Sequence, residues 1–179
     1  GYMARKLGLT IDSLLAAEVV TARGDIIQVD EKHHTELFWA LRGGGGNFGI
    51  VTRFKYRLTP LPAFTGGPLI LPASAETMAG FVAAAKAAPE ELTTILLAMP
   101  APPLPFLPPE IHGKTILLGM MAYAGPEEEA QKALAPFRAL ATPIADLVGP
   151  GPYSKMYLPE DPNMRSTISI RSMFMDEVT

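Results

Sequence analysis

Residues 37–51 have the sequence LFWALRGGGGNFGIV, and this stretch decides how the first part of the chain folds. Leu37, Phe38 and Leu41 recur at helical spacing, which predicts a helix of about two to three turns beginning just after Asp30. Four consecutive glycines follow the helix, and an apolar, β-branched run follows the glycines. The stretch therefore predicts a helix, a glycine turn and a strand, in that order.

Two further strands are predicted before the helix and one after the glycines. The runs at 16–22 and 26–29 are short and rich in β-branched residues, and Arg23-Gly24-Asp25 between them favours a hairpin turn. Residues 50–58 alternate in polarity and predict a strand with one wet face. The apolar face of that strand is expected to carry Ile50, Phe54, Tyr56 and Leu58, and the wet face Arg53, Lys55 and Arg57.

The composition shifts to Ala, Pro and Leu after residue 60, where we expect a domain boundary. The second part has predicted strands near 67–71, 93–99, 114–124 and 144–148, with helices over 74–88 and after Pro126. The segment 100–109 is proline-rich and is expected to be an extended connector. The fold class is therefore α+β, with a split βαβ arrangement in which helices cover one face of an antiparallel sheet. A further strand is predicted over 167–174.

The composition excludes several classes of function. The chain has 179 residues with 15 Lys and Arg against 18 Asp and Glu, so its net charge of −3 argues against nucleic acid as a partner. Cysteine is absent, which excludes disulfides and thiolate chemistry and leaves the compartment undetermined, with a cytoplasmic location favoured. No stretch approaches the roughly 20 apolar residues of a membrane span, so no membrane association is expected.

The glycine run formally matches G-x-G-x-x-G at Gly44, Gly46 and Gly49. A dinucleotide fingerprint follows a strand and opens a helix, whereas this run follows a helix and precedes a strand, so we reject that interpretation. Two interpretations stay open. The run is either a flexible link that caps the helix, or a surface without Cβ atoms that a ligand approaches closely.

The segments GYMARKLGLTIDSLLAAEVVTARG (1–24) and ELFWALRGGGGNFGIVT (36–52) resemble FAD-linked oxidases of the berberine-bridge-enzyme-like group, in the vanillyl-alcohol-oxidase superfamily. The resemblance is dense over residues 1–62 and weaker up to the end of the chain. It implies that residues 1–60 are the C-terminal half of a PCMH-type FAD-binding domain. Residues 61–179 would then be an incomplete substrate-binding domain.

The same resemblance implies which residues contact FAD. In that family the segment matching 1–13 passes beside the flavin, and the one matching 49–51 lies near the adenine. The implied contact residues are Gly1, Gly8, Asp12, Ser13, Val19, Gly49, Ile50 and Val51. Ser13 stands where the family usually has Asn. The family's pyrophosphate loop, flavin-linking histidine and catalytic tyrosine have no match here, so we expect the middle part of an oxidase that binds FAD weakly or not at all.

Two hypotheses for the function follow. The first is that the chain is part of an FAD-dependent oxidase that acts on a small-molecule substrate. In this hypothesis the chain associates with a second copy of itself or with the rest of the enzyme. The second is a non-catalytic α+β interaction module in which the glycine run is a linker. No catalytic residue is assigned and no metal site is expected, because adjacent His33 and His34 on a helix would diverge by about 100°.

Overall fold

The computed structural model describes residues 1–157, 171 and 173, so the strand predicted over 167–174 lies outside the described residues. The chain separates into two compact units, with the division between Pro62 and Ala63. The first unit holds Gly1 and Met3–Pro62, and Tyr2 is grouped with the second unit. Each unit has its own sheet.

The first unit is a three-stranded antiparallel sheet with one helix packed against it. After a short helix α1 (Ala4–Leu7), the hairpin β1 (Leu14–Val20) and β2 (Ile26–Asp30) forms as the sequence predicts. Helix α2 (Thr35–Gly44) follows, and β3 (Ile50–Tyr56) pairs with β1, giving the order β2-β1-β3. The core between sheet and helix consists of Leu14, Ala17, Val19, Val29 and Phe38.

Helix α2 begins four residues later than the sequence analysis predicts. Residues 31–34 form a bend, and the helix starts after His34, which adopts a left-handed conformation with φ 52°. The reason is that the Asp30 carboxylate accepts hydrogen bonds from the Lys32 N–H at 2.7 Å and the His33 N–H at 2.8 Å. Asp30 therefore closes a local turn instead of capping the helix.

The predicted alternation of β3 is wrong in detail because the strand contains a bulge. Ile50 is opposite Val20 on β1, whereas Phe54 is opposite Ala17, and the register shifts between Glu18 and Val19. Val20 and Ala17 lie on opposite faces of β1, so Ile50 and Phe54 lie on opposite faces of the sheet as well. Both side chains are more than half exposed.

The second unit has the predicted β-α-β-β-α-β order. Its elements are β4 (Thr65–Pro72), α3 (Ala75–Ala87), β5 (Leu92–Pro100), β6 (Thr115–Tyr123), α4 (Glu127–Arg138) and β7 (Ala145–Asp146). The strands lie in the order β5-β6-β4-β7, and the two-residue strand β8 (Gly149–Pro150) also pairs with β4. All these pairings are antiparallel, as in a split βαβ unit.

Helices α3 and α4 cover one face of this sheet. The Ser74 hydroxyl caps α3 by accepting the Thr77 N–H at 3.0 Å, and Phe81 of α3 packs edge-to-face on Phe137 of α4 with ring centroids 4.9 Å apart. Met78 of α3 is 40% exposed. The core on this side consists of Leu69, Leu71, Phe81, Leu92, Leu117, Met121, Tyr123, Ala130, Leu134 and Phe137.

The proline-rich segment is more than a connector, because it packs on the other face of the sheet. Ala101 and Leu107 of this segment are buried with Ile70 and Ile116 of the sheet. The segment is closed by a hydrogen bond from the Ala101 N–H to the Lys114 carbonyl at 2.8 Å. The sheet of the second unit is therefore covered on both faces, by helices on one and by an extended segment on the other.

Candidate functional site

A cavity of about 380 Å³ lies in the first unit, where the glycine run meets the segment before β1. Trp39 and Ala40 of α2 form one side of it, and Ile11 and Asp12 form another. Phe48, which is 44% exposed, and Trp39, which is 76% exposed, place aromatic rings at its edge. The remaining lining residues are Arg42, Gly43 and Gly44.

Arg42 joins the two sides of this cavity. Its Nε donates a hydrogen bond to the Ile11 carbonyl at 3.3 Å, and its guanidinium lies 3.6 Å from the Asp12 carboxylate. The guanidinium carbon also lies 5.7 Å from the centroid of the Phe38 ring, within the range of a cation–π contact. The end of α2 is thereby attached to a segment that lies thirty-one residues earlier in the sequence.

Asp12 has a local role in addition to its ion pair. Its carboxylate accepts the Leu9 N–H at 2.9 Å, and the Leu9 carbonyl accepts the Asp12 N–H at 3.0 Å, which closes the turn before β1. Gly8, at φ 72°, enters this turn in a left-handed conformation. A Cβ at Gly8 would lie 3.1 Å from the Asp12 carboxylate oxygen, so Gly8 and Asp12 are close neighbours.

The glycines at 43–49 differ in what a side chain at each position would meet. A Cβ atom at Gly43, Gly45 or Gly46 would meet no heavy atom within 4 Å, so these positions border open space. Gly49 is different, because its φ is 143° and a Cβ there would lie 2.7 Å from the Val20 carbonyl oxygen. Gly49 therefore lets the chain pass β1 closely, which is a structural requirement and not evidence for a ligand.

The run is ordered by its own contacts. The Asn47 side-chain amide donates to the Gly44 carbonyl at 2.9 Å, and residues Gly45–Phe48 form a turn of 3₁₀ helix. The run lies at the C-terminal end of α2, which closes with Gly43 and Gly44, and at this end backbone carbonyls point outward and the helix dipole is negative. This polarity disfavours a phosphate group, in agreement with our rejection of a dinucleotide fingerprint.

Seven of the eight residues predicted to contact FAD, all except Gly1, fall into two groups. Gly8 and Asp12 form the first, beside Ser13, whose carbonyl accepts the Arg57 N–H at 2.8 Å. Asp12 lines the cavity. The second group lies where β1 and β3 pair. Val19 is opposite Val51, and a Cβ at Gly49 would lie 2.8 Å from the Val19 side chain. Its members are Val19, Gly49, Ile50 and Val51.

Exposure separates these residues further. The Val19 side chain is fully buried in the core, so it offers no surface to a ligand, whereas Ile50 is 70% exposed. Gly1 and Gly8 are exposed and Val51 is half-buried. Their contacts with FAD remain predictions.

The sequence analysis did not identify Arg42, Trp39 or Ile11 as site residues. Arg42 directly precedes the glycine run, and Trp39 is the single tryptophan of the chain and lies beside the buried Phe38 on the helix. Because single exposed apolar side chains are common on protein surfaces, Trp39 did not stand out as a site residue in the sequence. The Arg42 contact with Ile11 had no sequence signal, because the two residues are distant in the chain.

Three tyrosines of the second unit, Tyr2, Tyr153 and Tyr157, form a packed cluster. The Tyr153 hydroxyl lies 3.1 Å from that of Tyr157 and accepts the Tyr2 N–H at 3.3 Å. Burial, followed by the hydrogen bond with Tyr157, raises the pKa of Tyr153. Burial, with Glu91 and Glu129 nearby, also raises the pKa of Tyr123. These phenols are therefore protonated at neutral pH and are not poised as bases.

Neither a metal site nor a membrane-spanning helix is present among the described residues. Within residues 1–157, 171 and 173, no three His, Asp or Glu side chains are grouped so that they could hold a metal ion. His33 instead places its Nδ1 2.9 Å from the Asp30 carboxylate. In the same part of the chain, no helix has both the length and the apolar character needed to cross a membrane.

The sequence and the fold of the chain are similar to those of FAD-linked oxidoreductases. An FAD-linked oxidoreductase of Dictyostelium discoideum is 28% identical over 160 residues, which is 87% of this chain and 32% of the relative. The (R)-6-hydroxynicotine oxidase of Paenarthrobacter nicotinovorans is 47% identical over 62 residues, which is 35% of this chain and 14% of that protein. No protein-family model matches the chain.

Solved structures agree with the sequence relatives. The 6-hydroxy-D-nicotine oxidase of Arthrobacter nicotinovorans superposes with a TM-score of 0.70 at 25% identity, over 87% of this chain and 34% of the oxidase. BBE-like 1 of Physcomitrella patens shares the fold, with a TM-score of 0.66 at 22% identity over 84% of this chain and 31% of its own. The predicted resemblance and the α+β fold class are confirmed. The chain spans about a third of the length of these relatives.

Proposed function

We propose that this chain is one part of an FAD-dependent oxidase, in which a carbon of an alcohol, sugar or amine substrate is oxidised and dioxygen accepts the electrons. The proposal is supported by the similarity to FAD-linked oxidoreductases and by the cavity beside the glycine run. Because the similarity spans about a third of those proteins, the activity requires the parts that correspond to the remainder. The chain alone is inactive in this proposal.

The cavity of the first unit fits one part of FAD and not another. It is concave, within the size range of small-molecule pockets, and has aromatic rings at its edge, so a planar ring system suits it. Gly43 and Gly45 leave open space beside it. The pyrophosphate finds no such match, because the run lies at the C-terminal end of α2, where the helix dipole is negative.

The roles of the chain's own residues follow from this fit. Trp39 and Phe48 would contact the flat faces of the ring system, and Arg42 would hold Ile11 and Asp12 in place beside it. When bound, FAD supplies the acceptor for a hydride from the substrate. The protein would orient substrate against the flavin and exclude water.

The linker hypothesis is less well supported than the oxidase hypothesis. The glycine run has defined contacts, through Asn47 and through the close approach of Gly49 to β1, which a flexible link would not need. Exposed apolar side chains of the first unit do support association with another protein surface. They include Ile50, which is 70% exposed, and Leu58, which is 87% exposed. A second copy or the remaining part of the enzyme is the proposed partner.

A chimera tests the function. The segment of 6-hydroxy-D-nicotine oxidase that matches this chain is replaced with the chain, and the flavin content of the purified chimera is measured by visible absorbance. We expect a yellow protein with one flavin per polypeptide. Ala40→Trp fills the cavity and is expected to reduce the flavin content, whereas Ala22→Trp, in the exposed turn between β1 and β2, is expected to leave it unchanged.

The folding of each chimera is checked by circular dichroism and by gel filtration. A chimera that folds and purifies without flavin would contradict the proposal. An Ala40→Trp chimera that keeps a full complement of flavin would show that FAD does not use this cavity.

A further inference from the structure

A second cavity, of about 350 Å³, lies within the second unit on the face of the sheet opposite α3 and α4. The strand side chains that alternate onto this face of the sheet are apolar. Leu117 and Met121 of β6 point toward the helices, whereas Leu118 and Met120 line the cavity. Ile70 of β4 is the cross-strand partner of Leu118 and lines the cavity beside it.

The proline-rich segment forms the opposite wall. Leu104, Phe106 and Leu107 reach the cavity from this segment, and Leu107 is 3% exposed, so the wall is anchored in the core. The Leu107 N–H donates to the Leu104 carbonyl at 3.0 Å, which turns the chain at this point. Phe106 is 45% exposed and lies at the cavity edge. A cavity with this lining attracts apolar molecules, because it holds water poorly.

Among the described residues that line this cavity, Lys155 is the one with a charged side chain. Its ammonium donates hydrogen bonds to the Gly149 carbonyl at 2.6 Å and the Pro150 carbonyl at 3.2 Å. Its Cδ would lie 2.9 Å from a Cβ at Gly151, so the aliphatic stem follows the backbone of 149–151 closely. An ammonium has three N–H donors, so one remains for a ligand at the cavity edge.

We infer that this cavity binds a small apolar molecule that carries one anionic group, with a ring system between the sheet and the proline-rich segment and the anion on Lys155. The volume lies within the range of small-molecule pockets and exceeds the roughly 150 Å³ cavity that holds benzene, so a two-ring aromatic fits. The charge of Lys155 complements the anion. The lining residues all belong to the second unit, so the inference does not depend on the proposed flavin function.

Calorimetric titration of the full chain with naphthoate tests the inference, with naphthylmethanol as the uncharged analogue. We expect saturable binding of one naphthoate per chain and weaker binding of the alcohol. Leu118→Trp fills the cavity and is expected to weaken naphthoate binding at least about tenfold, or about 1.4 kcal/mol. Its matched control is Leu97→Trp, on the same face of the sheet at the cross-strand partner of Leu118 but outside the cavity lining.

Lys155→Met tests the anion contact without filling the cavity. It is expected to weaken naphthoate binding about tenfold and to leave the binding of naphthylmethanol unchanged. This position is exposed, so the variant is expected to fold, which is checked by circular dichroism. It keeps the inference testable if Leu118→Trp does not fold.

Three results would overturn the inference. The first is no saturable naphthoate binding by the folded wild-type chain, and the second is equal weakening by Leu118→Trp and Leu97→Trp. The third is a concentration-dependent dimer in sedimentation that Leu118→Trp abolishes, which would assign the cavity to a second copy of the chain. Unchanged naphthoate affinity in Lys155→Met would overturn the assignment of the anionic group.

Discussion

Gly49 is the residue whose replacement the structure constrains most clearly in the first unit. Its φ of 143° and ψ of −176° lie in a region that is almost exclusive to glycine. A Cβ there would also lie 2.7 Å from the Val20 carbonyl oxygen and 2.8 Å from the Val19 side chain. We predict that Gly49→Ala lowers the free energy of unfolding by about 1–3 kcal/mol, measured by urea denaturation.

Gly46→Ala is the matched control for this prediction. Gly46 belongs to the same run, lacks a positive φ, and a Cβ there would meet no atom within 4 Å. Its effect is expected to stay within about 0.5 kcal/mol. Equal destabilisation by the two substitutions would show that the close approach of residue 49 to β1 is not what requires glycine there.

The stabilisation that the Asp30 carboxylate contributes is expected to depend on pH. The hydrogen bond from the Lys32 N–H, with those from His33, holds the pKa of Asp30 below its ordinary value of 3.8. Because the folded pKa is the lower one, the stabilisation is present above about pH 3.8 and is lost as the pH falls through the folded pKa. Asp30→Ala is therefore expected to destabilise the chain at neutral pH and to have a decreasing effect in acid.

The measurement is urea denaturation of wild type and variant over a pH series that ends below pH 3.8. Asp30→Asn is the control, because its amide oxygen can still accept the two backbone N–H groups while carrying no charge. An Asp30→Ala effect that is the same at neutral and acid pH would show that the carboxylate charge contributes nothing to the turn.

The candidate site was predictable only in part from the sequence. The Gly8 and Asp12 pair is local, and residues four apart can be placed beside each other from turn chemistry. The Arg42 contact with Ile11 depends on how α2 lies on the sheet, which no local pattern encodes. The Val19 side chain is buried in the core, and the contact with FAD that the resemblance implies for this position stays a prediction.

At the scale of elements, Gly119 of β6 makes room for Phe81 of α3. A Cβ at Gly119 would lie 2.7 Å from Cε2 of the Phe81 ring, and that ring is 1% exposed and packed on Phe137. The ring cannot move aside without disturbing the contact between α3 and α4. We predict that Gly119→Ala lowers the free energy of unfolding by about 1–3 kcal/mol.

A double-mutant cycle with Phe81→Leu tests whether the contact with the Phe81 ring causes the destabilisation by Gly119→Ala. Leucine removes the ring atoms that the added methyl group would meet, so Gly119→Ala is expected to cost less in the Phe81→Leu background. The expected coupling energy is at least about 0.5 kcal/mol, measured by chemical denaturation of the four proteins. Additive effects would contradict the proposed contact between the ring and residue 119.

The elements themselves were well predicted where the periodicity was long. The hairpin of β1 and β2 and the β-α-β-β-α-β order followed from alternation, helical spacing and turn residues. The bulge in β3 was not predictable, because the extra residue Thr52 has no turn-forming character and the shift is set by pairing with β1. Strand β7 is two residues long, shorter than predicted, because β8 takes over the pairing with β4.

For the whole molecule, we propose that this chain carries part of an FAD site. The first unit presents a cavity suited to a planar ring, but the glycine run beside it lies at the wrong end of a helix for a pyrophosphate. A partial site predicts weak binding, because the contacts that would hold the phosphates and orient the cofactor are not supplied by these residues.

Trp39 makes this claim directly measurable, because it is the single tryptophan of the chain and lines the cavity. We expect FAD and riboflavin to quench its fluorescence in a weak, saturable manner, with a Kd of about 1 mM or a few-fold below. Inorganic pyrophosphate is expected neither to quench it nor to compete. Stoichiometric, tight binding of FAD by the chain alone, or no flavin-specific quenching at millimolar concentration, would contradict the account.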